Sequence, residues 1–192
     1  DEDYQIISGT LENRNFLPND GFDIYSLDDF STTETDFYHL PIPYAAVATD
    51  IKTGEKVVLK SGNLAAAMRA SMSIPMLFEP WTIDDKLLVD GGVVSNLPVD
   101  TAHELFPGIP VVAVDISDPM VESVNSYMDV VNQSLTILMR RKTDEEGSRA
   151  DILLKPKVAG LGMLDTGDPE KIISLGADAA MEKIDEIKAL SA

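Results

Sequence analysis

Residues 64–99 read LAAAMRASMSIPMLFEPWTIDDKLLVDGGVVSNLPV, and the tripeptide Asp90-Gly91-Gly92 closes the apolar run inside them. Lys86-Leu87-Leu88-Val89 has the length and composition of a short buried strand, bounded by Asp84-Asp85 on one side and two glycines on the other. Asp90 then stands at the strand's C-terminal end, where the chain leaves an open α/β sheet and a crevice forms for binding and catalytic groups. Gly91 and Gly92 open backbone conformations closed to other residues and leave room for another segment or a substrate to approach. A carboxylate held by such a turn is fixed in place. The same three residues also read as a plain strand-to-turn junction in which Asp90 caps the turn, because Asp-Gly is a common turn dipeptide.

Working outward, residues 44–49 (YAAVAT) and 56–60 (KVVLK) are two apolar runs joined by the polar segment 50–55, a spacing that predicts a hairpin. The alanines of residues 64–71 favour a helix and permit close packing on a sheet, and Pro75 prevents its continuation. Asn96 and Pro98 suit the cap and first turn of another helix that Pro107-Gly108 stops.

Beyond this region, VVAVDI at residues 111–116 is a continuous apolar run, as expected for a strand buried on both faces of a parallel sheet. Asp115 near its end would need a phosphate loop to read as nucleotide-binding; no G-x-x-x-x-G-K-S/T occurs, so a structural role is expected. Apolar residues at 124, 127, 128, 131, 135 and 138 predict a helix with one stripe on the sheet, closed by Arg140-Arg141-Lys142. Residues 152–154 make a further strand and 161–167 a glycine-punctuated loop. Asp168-Pro169-Glu170 then caps a helix carrying Ile173, Ala177, Ala180, Ile184 and Ile187 on one face. Strands alternating with helices point to a layered α/β fold.

Residues 1–35 are polar and rich in turns, with Leu17-Pro18-Asn19-Asp20-Gly21 the strongest turn signal and aromatics at Phe16, Phe22, Tyr25 and Phe30, followed by Phe37. A loop of this length is unusual unless it covers a site, and its aromatics either pin it to the core or line an acyl surface. Composition is that of an ordinary globular domain, 44% hydrophobic and 25% charged in 192 residues, without an apolar run long enough to span a membrane or a signal peptide. The chain opens on Asp1-Glu2-Asp3 rather than Met, consistent with an excerpt or a processed product. The net charge of −18 argues against nucleic acid and against electrostatic docking on anionic lipid, since both need clustered Lys and Arg. A lipid substrate would be gripped by apolar contacts. Without cysteine there is no disulfide, thiolate ligand or cysteine nucleophile, and no metal-ligand spacing occurs.

Taken together, the A-S-x-S-I-P segment from Ala70 to Pro75, with Phe78 and Pro80 following, the strand ending in D-G-G and the N-L-P-V entry at residues 96–99 resemble the patatin-like phospholipases. The resemblance is close over residues 40–117 and looser to residue 192. It implies a layered α/β/α fold with a mainly parallel central sheet whose N-terminal strands are missing. It is one domain over 1–192, with a loop-rich entry (1–39), a motif core (40–117) and C-terminal helices and strand (118–192). It also implies lipid ester hydrolysis by a Ser-Asp dyad without histidine or cofactor, with Asp90 as the dyad aspartate and Gly91 and Gly92 as the motif turn. The family's nucleophile sits on a G-x-S-x-G elbow, and none occurs in this chain, nor does the family's glycine-rich oxyanion loop. Ser61, Ser71, Ser73 and Ser95 do not replace the elbow and read as structural, as do His39 and His103. The expected partners are a lipid or ester substrate and a segment carrying the serine, with peripheral membrane contact open and the compartment undetermined. Two further readings stand beside this one: a non-catalytic lipid-binding or interaction module, and an unrelated α/β ligand-binding domain.

Overall fold

In the computed structural model, which describes residues 36–40, 42–117, 123–158 and 169–190, the first two apolar runs form the expected hairpin. Strand β1 (Ala46–Asp50) pairs antiparallel with β2 (Lys56–Leu59), with Ala46 opposite Leu59, and the connection uses Gly54 at φ +74°. Asn63 caps helix α1 (Leu64–Ser71) by accepting the Ala66 N–H at 2.8 Å. Two more strands follow, β3 (Trp81–Ile83) and β4 (Lys86–Asp90), joined across Asp84 and Asp85. Both linking residues have positive φ, 48° and 64°, the backbone that a two-residue hairpin turn demands. Asp tolerates it better than most side chains.

The resulting sheet runs β2-β1-β4-β3 and is antiparallel throughout. This corrects the expectation of a mainly parallel central sheet. The parallel pairing expected of the chain is confined, among the described residues, to a separate two-stranded sheet. For the two hairpins the reason lies in the connections: links of five and two residues allow only antiparallel return, whereas parallel neighbours need a crossover. All of β1 is buried, since it lies between β2 and β4 with α1 against it. Ala70, Ala48 and Leu88 meet without solvent exposure in one core cluster, and Phe37, Ala46 and Ala67 form another. The small side chains of α1 are what let the helix sit so close to the strands.

The chain divides into two compact units, one up to Gly91 and the other from Gly92. The second contains the short helix α2 (Gly92–Ser95), α3 (Val99–Leu105), β5 (Val112–Val114), the long α4 (Tyr127–Gly147), β6 (Ile152–Leu154), α5 (Pro169–Glu182) and α6 (Ile184–Ala189). β5 and β6 pair in parallel, and Leu97, Val99 and Ala113 form this unit's buried cluster.

Several local expectations change here. Asn96 does not cap α3; its amide donates to Thr143 Oγ1 at 3.1 Å and Ser117 Oγ at 3.2 Å. Strand β5 is not covered on both faces, for Ala113 is buried while Val112 and Val114 are exposed. Ser126 and Asp129 start α4 with a reciprocal capping box, and the helix continues through Arg140-Arg141-Lys142 to Gly147. Its buried residues are Thr143, Glu146 and Gly147, so the apolar stripe farther back, including Tyr127 and Leu138, lies exposed instead of on the sheet. Burial of Glu146 is compensated locally: Ser95 Oγ donates at 2.9 Å to either carboxylate oxygen, and Lys142 Nζ stands 3.8 Å away. The last helical pattern is split into α5 and α6, with no fully buried residue in either. The readings of residues 1–35, of the 161–167 loop and of the Asp168 cap lie outside the described residues.

Asp115 has the structural role expected of it. Burial alone would raise its pKa, but hydrogen bonds from Ser117 and the ammonium of Lys155, 3.2 Å away, outweigh it and hold the carboxyl below its ordinary value of 3.8. A carboxyl whose folded pKa is depressed stabilises the fold above its unfolded pKa and loses that contribution as pH falls through the folded value. Asp115→Asn is therefore expected to flatten the loss of stability below pH 3.8, measured as urea midpoints down the acid limb. Parallel acid limbs for both proteins would show that the Lys155 contact does not discriminate between the folded and unfolded chain.

Candidate functional site

Asp90 is the last residue of β4 and lies opposite Ala48 on the buried strand β1. Its main chain is held from both sides: the N–H donates to the Ser73 carbonyl at 2.9 Å, and the carbonyl accepts from Thr49 Oγ1 at 2.9 Å. Thr49 and Ser73 are both buried, which shields these bonds from competing water. The residue is half-buried at the point where β4 ends. That is the placement the sequence suggests.

Of the two reasons expected for the glycine that follows, close approach of another segment holds and an unusual backbone conformation does not. Gly91 and Gly92 are absent from the positive-φ positions, which are Gly54, Gly62 and Gly108 among glycines of the described residues. What demands glycine at 91 is proximity: a Cβ there would stand 2.3 Å from the Val47 carbonyl oxygen. That oxygen also accepts a hydrogen bond from Ser71 Oγ at 2.7 Å. Gly92 opens helix α2 in the second unit.

The serines behave as structural groups. Ser71 gives its proton to the Val47 carbonyl, Ser73 to the Arg69 carbonyl at 2.8 Å and Ser95 to Glu146. For Ser71 and Ser73 the proton is committed to a backbone carbonyl and is not offered to a base, while Ser95, which donates to a carboxylate, is buried with Glu146 away from solvent. Ser61 is exposed. His103 Nε2 lies 3.2 Å from the Arg149 carbonyl. Among the described residues there is no group of three or more metal-type ligands and no helix long and apolar enough to cross a membrane.

Sequence reasoning passed over Thr49 and Arg69. Thr49 carries no signal in a strand, where threonine is ordinary. Arg69 carries one, as the single charge in an alanine-rich helix whose neighbours Ala67 and Ala70 face the core.

Residues 15–103 match the family model described as patatin-like phospholipase. Over 60 residues, 31% of the chain, the sequence is 50% identical to an uncharacterized NTE family protein of Mycobacterium tuberculosis, covering 17% of that protein. A second such protein, from Mycobacterium bovis, is 38% identical over 85 residues, 44% of this chain and 14% of its own length. Patatin-like phospholipase domain-containing protein 7 of Mus musculus is 35% identical over 95 residues, 47% of this chain and 7% of its own length. The chain thus spans less than a fifth of the curated relatives it matches.

Proposed function

From the patatin-like phospholipase match over residues 15–103, we propose that the chain is the Asp90-bearing part of a lipid acyl hydrolase, with the nucleophilic serine carried outside these 192 residues. The observation that carries this reading is the fixation of Asp90: hydrogen bonds at its N–H and at its carbonyl hold the main chain from which the carboxylate is presented at the strand end. In the reaction the serine hydroxyl attacks the ester carbonyl as its proton passes to the Asp90 carboxylate. The proton then goes to the departing alcohol, and water repeats the cycle on the acyl-serine. A carboxylate of ordinary pKa near ~4 is a weak base, so its work depends on being held in line with the hydroxyl before reaction. Donors for the oxyanion come from outside this chain, as does the serine.

The second unit supports a missing neighbour. Among the described residues the β5–β6 sheet has two strands, and Val112 and Val114 lie exposed, while parallel sheets are ordinarily covered on both faces. The serine-bearing segment is the proposed partner. With a net charge of −18, the substrate is gripped through apolar contacts. A non-catalytic lipid-binding module on the same scaffold is the second reading, favoured by the lack of any G-x-S-x-G in the chain.

The test compares the isolated chain with the full-length protein on short-chain nitrophenyl esters and on phospholipid. The isolated chain is expected to give no turnover above buffer, and the full-length protein to hydrolyse ester. A folded full-length protein silent on every ester would leave the lipid-binding reading. Turnover by the isolated chain that disappears on replacing one of its own serines would overturn the division of the site.

A further inference from the structure

Arg69 is the only charged side chain of α1, and it is buried, 6% exposed. Its Nη1 donates to Ser73 Oγ at 2.6 Å and its Nη2 to the Glu79 carbonyl at 3.2 Å, so neither hydrogen bond goes to a carboxylate. The guanidinium carbon lies 5.6 Å from the centre of the Phe78 ring and 5.2 Å from that of Trp81. Two ring faces and two neutral oxygens offset the loss of hydration. Even so, an apolar side chain of similar length would fill the space without that loss, as replacements of buried ions by packed hydrophobic residues show. The effect of the charge must be sought in what it orients.

It orients Ser73. The serine hydroxyl receives Nη1 and returns its own proton to the Arg69 carbonyl at 2.8 Å, closing a ring of two hydrogen bonds just beyond the end of α1. The carbonyl of the same serine takes the Asp90 N–H. On its other side the guanidinium lies against Trp81, which pairs with Leu88 two residues before Asp90 on β4. One buried cation therefore touches both the segment that receives the Asp90 N–H and the strand alongside β4.

We infer that Arg69 is a positioning residue for Asp90, setting through Ser73 the height at which the carboxylate stands at the end of β4. The inference rests on the reading of Asp90 as the base. It requires Arg69 and Ser73 to act as one unit whose loss displaces Asp90 without removing it. Displacements of about 1 Å can cost on the order of 10²-fold in rate.

The experiment uses the full-length protein and nitrophenyl ester, with Arg69→Met, Ser73→Ala, the double variant and Asp90→Asn. Arg69→Met is expected to stay folded, with kcat lower by about 10²-fold and KM nearly unchanged. Ser73→Ala should give a similar loss, and the double variant no more than either alone, because they break the same link. Arg69→Lys should recover little kcat, since an ammonium lacks the planar fork that reaches Ser73 and Glu79 together. Normal kcat in folded Arg69→Met or Ser73→Ala beside an inactive Asp90→Asn would overturn the positioning role and leave the base assignment standing. Losses that multiply in the double variant would also overturn it. An active Asp90→Asn protein would instead remove the base assignment and this inference with it. Should Arg69→Met fail to fold, Ser73→Ala, which deletes one oxygen, decides the matter alone.

Discussion

Asp90→Asn in the full-length protein is expected to lower turnover by about 10²- to 10⁴-fold, the usual contribution of a general base, with little movement of Tm. The expectation separates chemistry from architecture. The bonds that fix residue 90, from its N–H to Ser73 and from Thr49 to its carbonyl, belong to the main chain and survive the change. The amide has nearly the shape of the carboxylate and keeps one acceptor, but it cannot take up the serine proton. Hydrolysis rates and thermal melts on the same preparation check this. Near-normal turnover by a folded Asp90→Asn protein would reduce Asp90 to a cap on the strand-to-turn junction, the plain reading its sequence also permits.

Gly91→Ala is expected to destabilise the fold by about 3 kcal/mol or more, at or beyond the upper end of ordinary overpacking. The added methyl would lie 2.3 Å from the Val47 oxygen and 2.7 Å from its carbonyl carbon, and neither atom can rotate away. Val47 belongs to β1, which is paired on both sides. A glycine at an unremarkable φ would normally gain roughly 0.4–1 kcal/mol from alanine, because the unfolded chain loses freedom. The sign of the change is thus diagnostic. Gly176, inside α5 with no atom within 4 Å of where a Cβ would stand, serves as the internal comparison and should gain by about 1 kcal/mol on the same substitution. Urea midpoints for the two variants settle it: equal and favourable shifts would mean that the Val47 carbonyl yields.

Much of the first unit is legible in the sequence because its signals are local. The 46–59 hairpin, the alanine helix and the strand closing on Asp90 follow from alternation, helix propensity and bounding turns within a few residues. Strand β3 escapes because its turn is Asp84-Asp85 rather than a glycine-containing pair, although both residues adopt the same backbone. The direction of the sheet is less legible still. An apolar run declares that a strand is buried, but the length of the link to its neighbour decides whether the two run parallel. Helix α4 is misjudged at its end since basic residues suit a C-terminus but do not terminate anything; here Arg140-Arg141-Lys142 are carried along by a helix that ends at Gly147. At the site, Asp90 is legible from its place after the strand. The support that Thr49, Ser73 and Arg69 give it is not, since those contacts join residues from 17 to 41 positions apart or depend on one rotamer inside the core.

The pairing of β1 with β4 has a consequence for how the site is lost. Each of the two hairpins is closed by a short link, so each can form on a microsecond scale. Asp90 acquires its Thr49 contact only when the hairpins join across 41 residues of chain, the step with the larger loop-closure cost. Opening along that one seam dissolves the candidate site and parts the buried cluster of Ala48, Ala70 and Leu88 with it. Competence at Asp90 is accordingly tied to the core of this unit, and heat or denaturant removes the two together.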